Sequence, residues 1–137
     1  MPKKNVFRDF KRHKIMRLII ADDSDVLRSR LVEMLREVKG IDIVGEAKDS
    51  EETLAAVNSL RPDVIILDLR MPREEGILAL EAIKDIKRKC PIVIIFTNFP
   101  YLQYRKRCLD AGADFFFYKA VEFEKLLELM KHLARRI

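Results

Sequence analysis

The chain has 137 residues, of which 49% are hydrophobic and 36% are charged, with four glycines and five prolines. This length suits one domain, and the composition excludes a collagenous, low-complexity or wholly disordered chain. The uninterrupted apolar runs are short, so the sequence predicts neither a membrane-spanning helix nor a secretory signal. Cys90 and Cys108 are too few for a disulfide framework or a metal quartet, which favours reduced thiols in the cytoplasm.

The net charge of +5 arises at one end of the sequence. Residues 1–14 contain six basic residues and one acidic residue, whereas residues 15–137 contain 21 of each. We therefore divide the chain into a basic N-terminal arm, residues 1–14, and a neutral domain, residues 15–137. A solvated terminus is the simplest interpretation of the arm. Phosphate contact is an alternative, and Phe7 and Phe10 leave open a short helix that packs on the domain or a partner.

From Ile15 onward, strand-like and helix-like patterns alternate. Segments rich in β-branched or aromatic residues predict strands at residues 15–21, 41–47, 64–69, 92–96 and 115–118. The third and fourth segments are apolar without alternation, which is typical of strands buried on both faces of a parallel sheet. The repeated unit is therefore a strand followed by a helix.

Apolar residues at helical spacing follow each predicted strand. Ser24 or Asp25 can cap the first helix and Asp49 the second, because their side-chain oxygens accept backbone N–H groups. Gly40 and Pro62 are expected to follow the ends of these two helices. The apolar stripes of the other three helices begin at Ile77, Tyr101 and Phe123.

Five βα units in succession predict an α/β fold, (βα)5, with right-handed crossovers and helices on both faces of one parallel sheet. The expected architecture is a doubly wound, flavodoxin-like five-stranded sheet with strand order 2-1-3-4-5. Ligands bind such sheets at the carboxyl ends of strands 1 and 3. We therefore expect the functional residues to lie at this edge of the sheet.

Five polar residues are predicted to lie at this edge of the sheet. Asp22 and Asp23 follow strand 1, and Asp68, Thr97 and Lys119 lie at the ends of strands 3, 4 and 5. Each has an ordinary structural explanation by itself, as a turn former, a helix cap or a solvated side chain. Together, three carboxylates in one crevice favour Mg²⁺, with Mn²⁺ as a substitute, because a hard cation removes their mutual repulsion. A carboxylate beside Mg²⁺ and a lysine is a nucleophile toward phosphorus.

The blocks around these residues carry a family resemblance. Ile-Ile-Ala-Asp22-Asp23-Ser, Ile-Leu-Asp68-Leu-Arg-Met-Pro, Ile-Phe-Thr97 and Ala-Gly-Ala-Asp-Phe-Phe-Phe-Tyr-Lys119 resemble the signature blocks of bacterial response-regulator receiver domains. The resemblance runs from about residue 15 to residue 133. Because separated blocks occur in the family's order, their joint match is far more specific than any one of them.

The resemblance implies a role for each residue. Asp68 is the expected phospho-acceptor, Thr97 and Lys119 contact the phosphoryl group, and Phe116 occupies the position of the family's aromatic switch. The expected Mg²⁺ ligands are Asp22, Asp23, Asp68 and the backbone carbonyl of Arg70. Ala120 replaces the proline that many members carry after the lysine, and it predicts a trans Lys119–Ala120 bond, since a cis bond without proline costs about 3–4 kcal/mol.

The implied function is signalling rather than enzymatic turnover. A histidine kinase or phosphotransfer protein phosphorylates Asp68, and the modified domain changes its affinity for a downstream protein or for itself. The expected contact face comprises the fourth helix, the fifth strand and the fifth helix. Only 18 residues follow Lys119, so we expect a stand-alone receiver without a DNA-binding domain.

Two other functions remain open from the sequence. A degenerate receiver could act as a phosphorylation-independent adaptor, although all five site residues are present. A haloacid-dehalogenase-type phosphatase would need a second aspartate two residues after the nucleophile, where this chain has Arg70. Turnover of a phosphomonoester with Mg²⁺ would separate the phosphatase from the receiver.

Overall fold

A computed structural model of the chain describes residues 15–72, 75–87, 89–98 and 102–136. Its five strands form one parallel sheet in the order β2-β1-β3-β4-β5. The strands are β1 (Met16–Ala21), β2 (Ile41–Ala47), β3 (Val64–Leu67), β4 (Ile92–Thr97) and β5 (Phe115–Tyr118). The predicted strand order is therefore confirmed.

Each strand is followed by a helix, as the sequence predicts. The helices are α1 (Asp25–Arg36), α2 (Ser50–Leu60), α3 (Glu75–Lys84), α4 (Leu102–Asp110) and α5 (Phe123–Arg136). Ser24 caps α1 by accepting the N–H of Leu27, and Asp49 caps α2 by accepting the N–H of Glu52. These side chains satisfy N–H groups that have no partner within the helix.

Several boundaries differ from the sequence prediction by one to four residues. Helix α1 ends at Arg36, before Gly40, and Gly40 itself adopts φ +94°. Strand β3 ends at Leu67 rather than at residue 69, and β4 extends to Thr97. Asp68 therefore stands just beyond its strand, although its N–H still donates to the carbonyl of Ala21. The backbone of Asp68, the expected phospho-acceptor, is thus hydrogen-bonded to β1, and the residue lies beyond the end of its own strand.

The sheet is covered on both faces, as in a three-layer α/β domain. One core cluster packs β-strand residues such as Ile65 against α2, α3 and α4, where Val57, Leu80 and Cys108 are buried. The other packs the opposite face of the strands against α1 and α5. Burial on both faces explains why β3 and β4 are apolar without alternation.

The Lys119–Ala120 peptide bond is trans, as predicted from the absence of proline at position 120. Phe7, Phe10, Phe99 and Tyr101 lie outside the described residues, as does the whole basic arm. Among the residues that the structure describes, no helix has the length and apolar character needed to cross a membrane.

Candidate functional site

Three aspartates converge at the carboxyl ends of β1 and β3. Ala21 and Leu67 are register partners in adjacent strands, so the residues that follow them, Asp22 and Asp68, emerge side by side. Asp22, Asp23 and Asp68 each offer a carboxylate oxygen, and these oxygens lie within 4.8 Å of one another. Asp22 and Asp68 are buried, whereas Asp23 is exposed. This set of hard oxygen donors at short range fits Mg²⁺.

Lys119 is the cation that this structure places against the aspartates. Its Nζ atom lies 2.6 Å from Asp22 Oδ2 and 2.9 Å from Asp68 Oδ2. The side chains of Asp22 and Asp68 are each 3% exposed and that of Lys119 is 9% exposed. Because so little water reaches these groups, the ammonium is the main neutralising charge between the two carboxylates.

The turn after β5 positions Lys119. The backbone N–H of Lys119 donates to the carbonyl of Thr97 at 2.9 Å, which continues the pairing of β5 with β4. The carboxylate of Glu122 accepts the N–H of Tyr118 at 3.0 Å, and this hydrogen bond lowers the pKa of Glu122. Hydrogen bonds therefore hold the backbone at Tyr118 and Lys119, and the lysine side chain extends from there across the edge of the sheet to the aspartates.

The second oxygen of each buried aspartate accepts a backbone hydrogen bond. Asp22 Oδ1 accepts the N–H of Ser24 at 2.8 Å, and Asp68 Oδ1 accepts the N–H of Arg70 at 3.0 Å. Each carboxylate thus has one oxygen fixed by its own loop and the other directed to Lys119. The two carboxylates are therefore oriented before any ligand arrives, which reduces the reorganisation that binding a ligand requires.

A cavity of about 270 Å³ opens onto this cluster. Its polar lining suits an anionic group and water rather than an apolar ligand. The lining residues are Asp23, Asp68, Arg70, Asn98 and Lys119.

Burial raises the pKa of Asp22, and it is the largest of the influences on that pKa. The hydrogen bond from Lys119 acts in the opposite direction, and the nearby charge of Asp68 raises the pKa further. The folded protein therefore binds a proton at Asp22 more tightly than the unfolded chain does. Linkage then requires that stability falls as the pH rises from below 3.8 through the raised pKa, and that the ionised carboxylate opposes folding at neutral pH.

Asp22→Asn is accordingly expected to raise the unfolding temperature of the metal-free protein at neutral pH. The amide keeps the oxygen that accepts the Ser24 N–H but carries no charge to desolvate. Thermal denaturation in chelator, followed by circular dichroism from pH 3 to pH 8, measures the difference. Asp42→Asn, at an exposed position, is the control. A variant less stable than wild type at neutral pH would contradict this account of Asp22.

Thr97 and Phe116 lie on β4 and β5, and neither side chain takes part in the ion pairs of Lys119. Thr97 is fully buried at the end of β4 and directly precedes the cavity residue Asn98. Phe116 is 4% exposed and packs in the core cluster on the α2–α4 face. Arg105 of α4 covers it, with its guanidinium 5.6 Å from the ring centroid and Nη1 donating to the Phe116 carbonyl at 3.2 Å.

Arg28 is a component of the site that the sequence analysis did not identify. Its Nη1 atom donates to the backbone carbonyl of Asp22 at 2.6 Å, and its Nε atom donates to Glu46 at 3.0 Å. Its remaining nitrogen pairs with Asp25. The spacing of Asp25 and Arg28 on α1 indicates a helical ion pair, but only the pairing of β1 with β2 brings Glu46 to the same guanidinium.

The fold and the carboxylate–lysine cluster together define a class of doubly wound α/β domains that carry an acidic site at the carboxyl edge of the sheet. Residues 18–131 match the response regulator receiver domain family. The chain belongs to this family. The resemblance noted in the sequence is therefore confirmed over most of its length.

Curated relatives agree with this assignment. The chain is 40% identical over 120 residues to the transcriptional regulatory protein PdtaR of Mycobacterium tuberculosis, and the match covers 88% of this chain and 57% of that protein. It is 30% identical over 119 residues to the response regulator GacA of Pseudomonas viridiflava, a match covering 85% of this chain and 54% of GacA. The chain thus spans little more than half the length of these relatives.

Solved structures show the same fold. The response regulator domain of Thermotoga maritima CheB matches with a TM-score of 0.78 at 28% identity, over 90% of this chain and 98% of that one. A LuxR-family response regulator from Aurantimonas sp. matches with a TM-score of 0.80 at 22% identity, over 88% of this chain and 86% of that one. The second likeness supports the fold alone.

Proposed function

We propose that this receiver domain accepts a phosphoryl group on Asp68, in the cytoplasm, from a histidine kinase or phosphotransfer protein. The observation that carries the proposal is the position of Lys119 Nζ, within 3 Å of both Asp22 and Asp68, beside a polar cavity. This arrangement gives a buried nucleophile, a fixed cation and space for a tetrahedral group. An adaptor that never reacts has no need of this geometry.

The proposed reaction is a direct transfer to a carboxylate. A carboxylate oxygen of Asp68 forms a bond to phosphorus while the bond from phosphorus to the donor nitrogen of phosphohistidine breaks. The electron pair of that bond stays on the imidazole of the donor, and the product is an acyl phosphate on Asp68. Lys119 and the Thr97 hydroxyl are the groups we assign to the phosphoryl oxygens, where they stabilise negative charge in the transition state.

A divalent cation completes the proposed site. Asp22, Asp23, Asp68 and the backbone carbonyl of Arg70 would hold Mg²⁺, or Mn²⁺ in its place. The bound ion supplies positive charge that neutralises the carboxylates and the incoming phosphoryl oxygens. The carboxylates themselves orient that charge, because Asp22 and Asp68 are each fixed by a backbone hydrogen bond.

Incubation with acetyl phosphate and Mg²⁺, followed by mass spectrometry, tests the proposal. We expect one added phosphate, located on Asp68, and no label when the metal is chelated. A protein that is never labelled under these conditions would instead be an adaptor. Continuous release of phosphate from a phosphomonoester would identify a phosphatase.

The phosphorylated form is expected to last for many minutes or longer. In receiver domains, the residues two positions after the acceptor and two after the threonine flank the path of the attacking water; here they are Arg70 and Phe99. Neither side chain is a good base for orienting water, and Phe99 is apolar. Decay of the label at neutral pH, followed after removal of the donor, measures the lifetime. Loss within seconds would disprove the assigned roles of these two residues.

Phosphorylation is expected to act on the face formed by α4, β5 and α5. Arg105 of α4 donates to the carbonyl of Phe116 in β5, and β5 pairs with β4, where Tyr118 is the register partner of Thr97. Tyr104 packs against the core, so the exposed Arg107 is the better anchor to test. Self-association of the phosphorylated protein, measured by sedimentation velocity, should weaken in Arg107→Ala but not in Arg36→Ala. Equal association of both variants would exclude this face.

A further inference from the structure

The guanidinium of Arg28 joins three segments of the chain beside the aspartate cluster. Arg28 lies in the first turn of α1, and its side chain is only 14% exposed. It pairs with Asp25 of the same turn through Nη2 and with Glu46 of β2 through Nε. Its Nη1 atom donates to the backbone carbonyl of Asp22. One rigid, planar group thus ties the start of α1 and the edge strand β2 to the loop that follows β1.

The carbonyl that accepts this hydrogen bond belongs to the peptide unit between two of the aspartates. Because a peptide unit is planar, fixing the carbonyl of Asp22 also fixes the backbone nitrogen and Cα of Asp23. On its other side, the N–H of Asp22 donates to the carbonyl of Ala47 at 2.9 Å. Both backbone polar groups of Asp22 are therefore held, one by β2 and the other by Arg28.

Asp23 depends on this backbone constraint more than the other two aspartates do. The carboxylates of Asp22 and Asp68 are buried, and each is held by a backbone N–H and by Lys119. The Asp23 side chain is exposed, and no residue that the structure describes donates a hydrogen bond to its carboxylate. The place of Asp23 among the three clustered carboxylates therefore rests on its backbone.

We propose that Arg28 is a positioning residue, which fixes Asp23 for a divalent cation and gives the site a preference for Mg²⁺ over Ca²⁺. Mg²⁺ requires near-octahedral geometry with short bonds to oxygen, whereas Ca²⁺ accepts longer and more variable arrangements. A loosely held carboxylate therefore costs Mg²⁺ affinity more than Ca²⁺ affinity. This inference rests on the proposed cation site, and it assigns Arg28 no contact with the ion.

The charge of Arg28 opposes a bound cation, so the sign of its effect separates positioning from electrostatics. A guanidinium repels a divalent ion, although Asp25 and Glu46 offset its charge. If charge alone mattered, Arg28→Gln would tighten the binding of every divalent cation, and Glu46→Gln would weaken it. If position matters, Arg28→Gln weakens binding. Glu46→Gln then changes it little, because the amide oxygen still accepts Nε of Arg28.

Titration of the full chain with Mn²⁺, followed by electron paramagnetic resonance of the free ion, tests the proposal. Competition with Mn²⁺ gives the affinities for Mg²⁺ and Ca²⁺. Arg28→Gln is expected to weaken Mg²⁺ by about tenfold and Ca²⁺ by clearly less. Arg28→Lys keeps the charge but not the three-way fork, so it should weaken Mg²⁺ as well. Arg36→Gln, the same change at an exposed position in the last turn of α1, is the control and should bind like wild type.

Thermal denaturation in chelator verifies that each variant is folded, and Arg28→Lys provides the same comparison if Arg28→Gln does not fold. Mg²⁺ affinity equal to that of the control, tighter binding of both cations, or an equal loss for Mg²⁺ and Ca²⁺ would overturn the role of Arg28. A wild-type protein that binds no Mn²⁺ would instead refute the cation site of the proposed function, and the role of Arg28 with it.

Discussion

Asp68→Asn is expected to abolish phosphorylation by acetyl phosphate while leaving the domain folded. The amide nitrogen that replaces one oxygen is not a nucleophile toward phosphorus at neutral pH, so no acyl phosphate can form. The fold tolerates the change because the amide keeps the shape of the carboxylate and its oxygen can still accept the N–H of Arg70. Lys119 retains Asp22 as a partner at 2.6 Å, so no buried cation is left unpaired.

Intact-protein mass spectrometry measures whether the variant is phosphorylated, and thermal denaturation measures whether it is folded. Asp42→Asn is a matched control, because it makes the same chemical change at an exposed position on β2, away from the cluster. The control should be labelled at the wild-type rate. Stable label on Asp68→Asn would show that another residue accepts the phosphoryl group, and an unfolded variant would show that the carboxylate is needed for the structure itself.

The architecture could be predicted from the sequence because each level of the pattern indicates the same fold. The β3 and β4 segments are apolar without alternation, helical stripes follow each strand, and Ser24 and Asp49 act as caps. Topological rules then place the residues after β1, β3 and β5 at one edge. The proximity of Lys119 to Asp22 and Asp68 followed from those rules without any contact being visible in the sequence.

Other features depend on three-dimensional contacts that have no local pattern. Arg28 reaches the carbonyl of Asp22 and the carboxylate of Glu46, a combination that requires the pairing of β1 with β2. Helix α1 ends at Arg36, with Glu37 as its C-cap, whereas apolar spacing alone suggests that the helix continues through Val38. No sequence pattern marks Gly76 as special either. In the structure, however, backbone atoms of Asp68 and Leu69 leave no room for a side chain at this position.

Gly76→Ala is expected to destabilise the protein, against the usual preference for alanine in helices. Gly76 is the second residue of α3, and alanine is favoured over glycine by about 1 kcal/mol in a helix interior. Here a Cβ atom would stand 2.5 Å from Leu69 Cα and closer still to the Asp68 carbonyl oxygen. Both neighbours are backbone atoms, which cannot rotate away as a side chain can. Overpacking costs about 1–3 kcal/mol, so after the propensity gain is subtracted we expect a net loss of up to about 2 kcal/mol.

Gly45→Ala is the matched control for this prediction. At that position the nearest atom to the added Cβ is Leu60 Cδ1 at 2.9 Å, the end of a flexible side chain that can move at small cost. Urea denaturation should therefore show a much larger fall in the free energy of unfolding for Gly76→Ala than for Gly45→Ala. Because the clash falls on Asp68 and Leu69, the Gly76 variant should also be phosphorylated more slowly. A Gly76→Ala protein as stable as wild type would mean that α3 can move away from the loop after β3, and that this contact does not fix the position of Asp68.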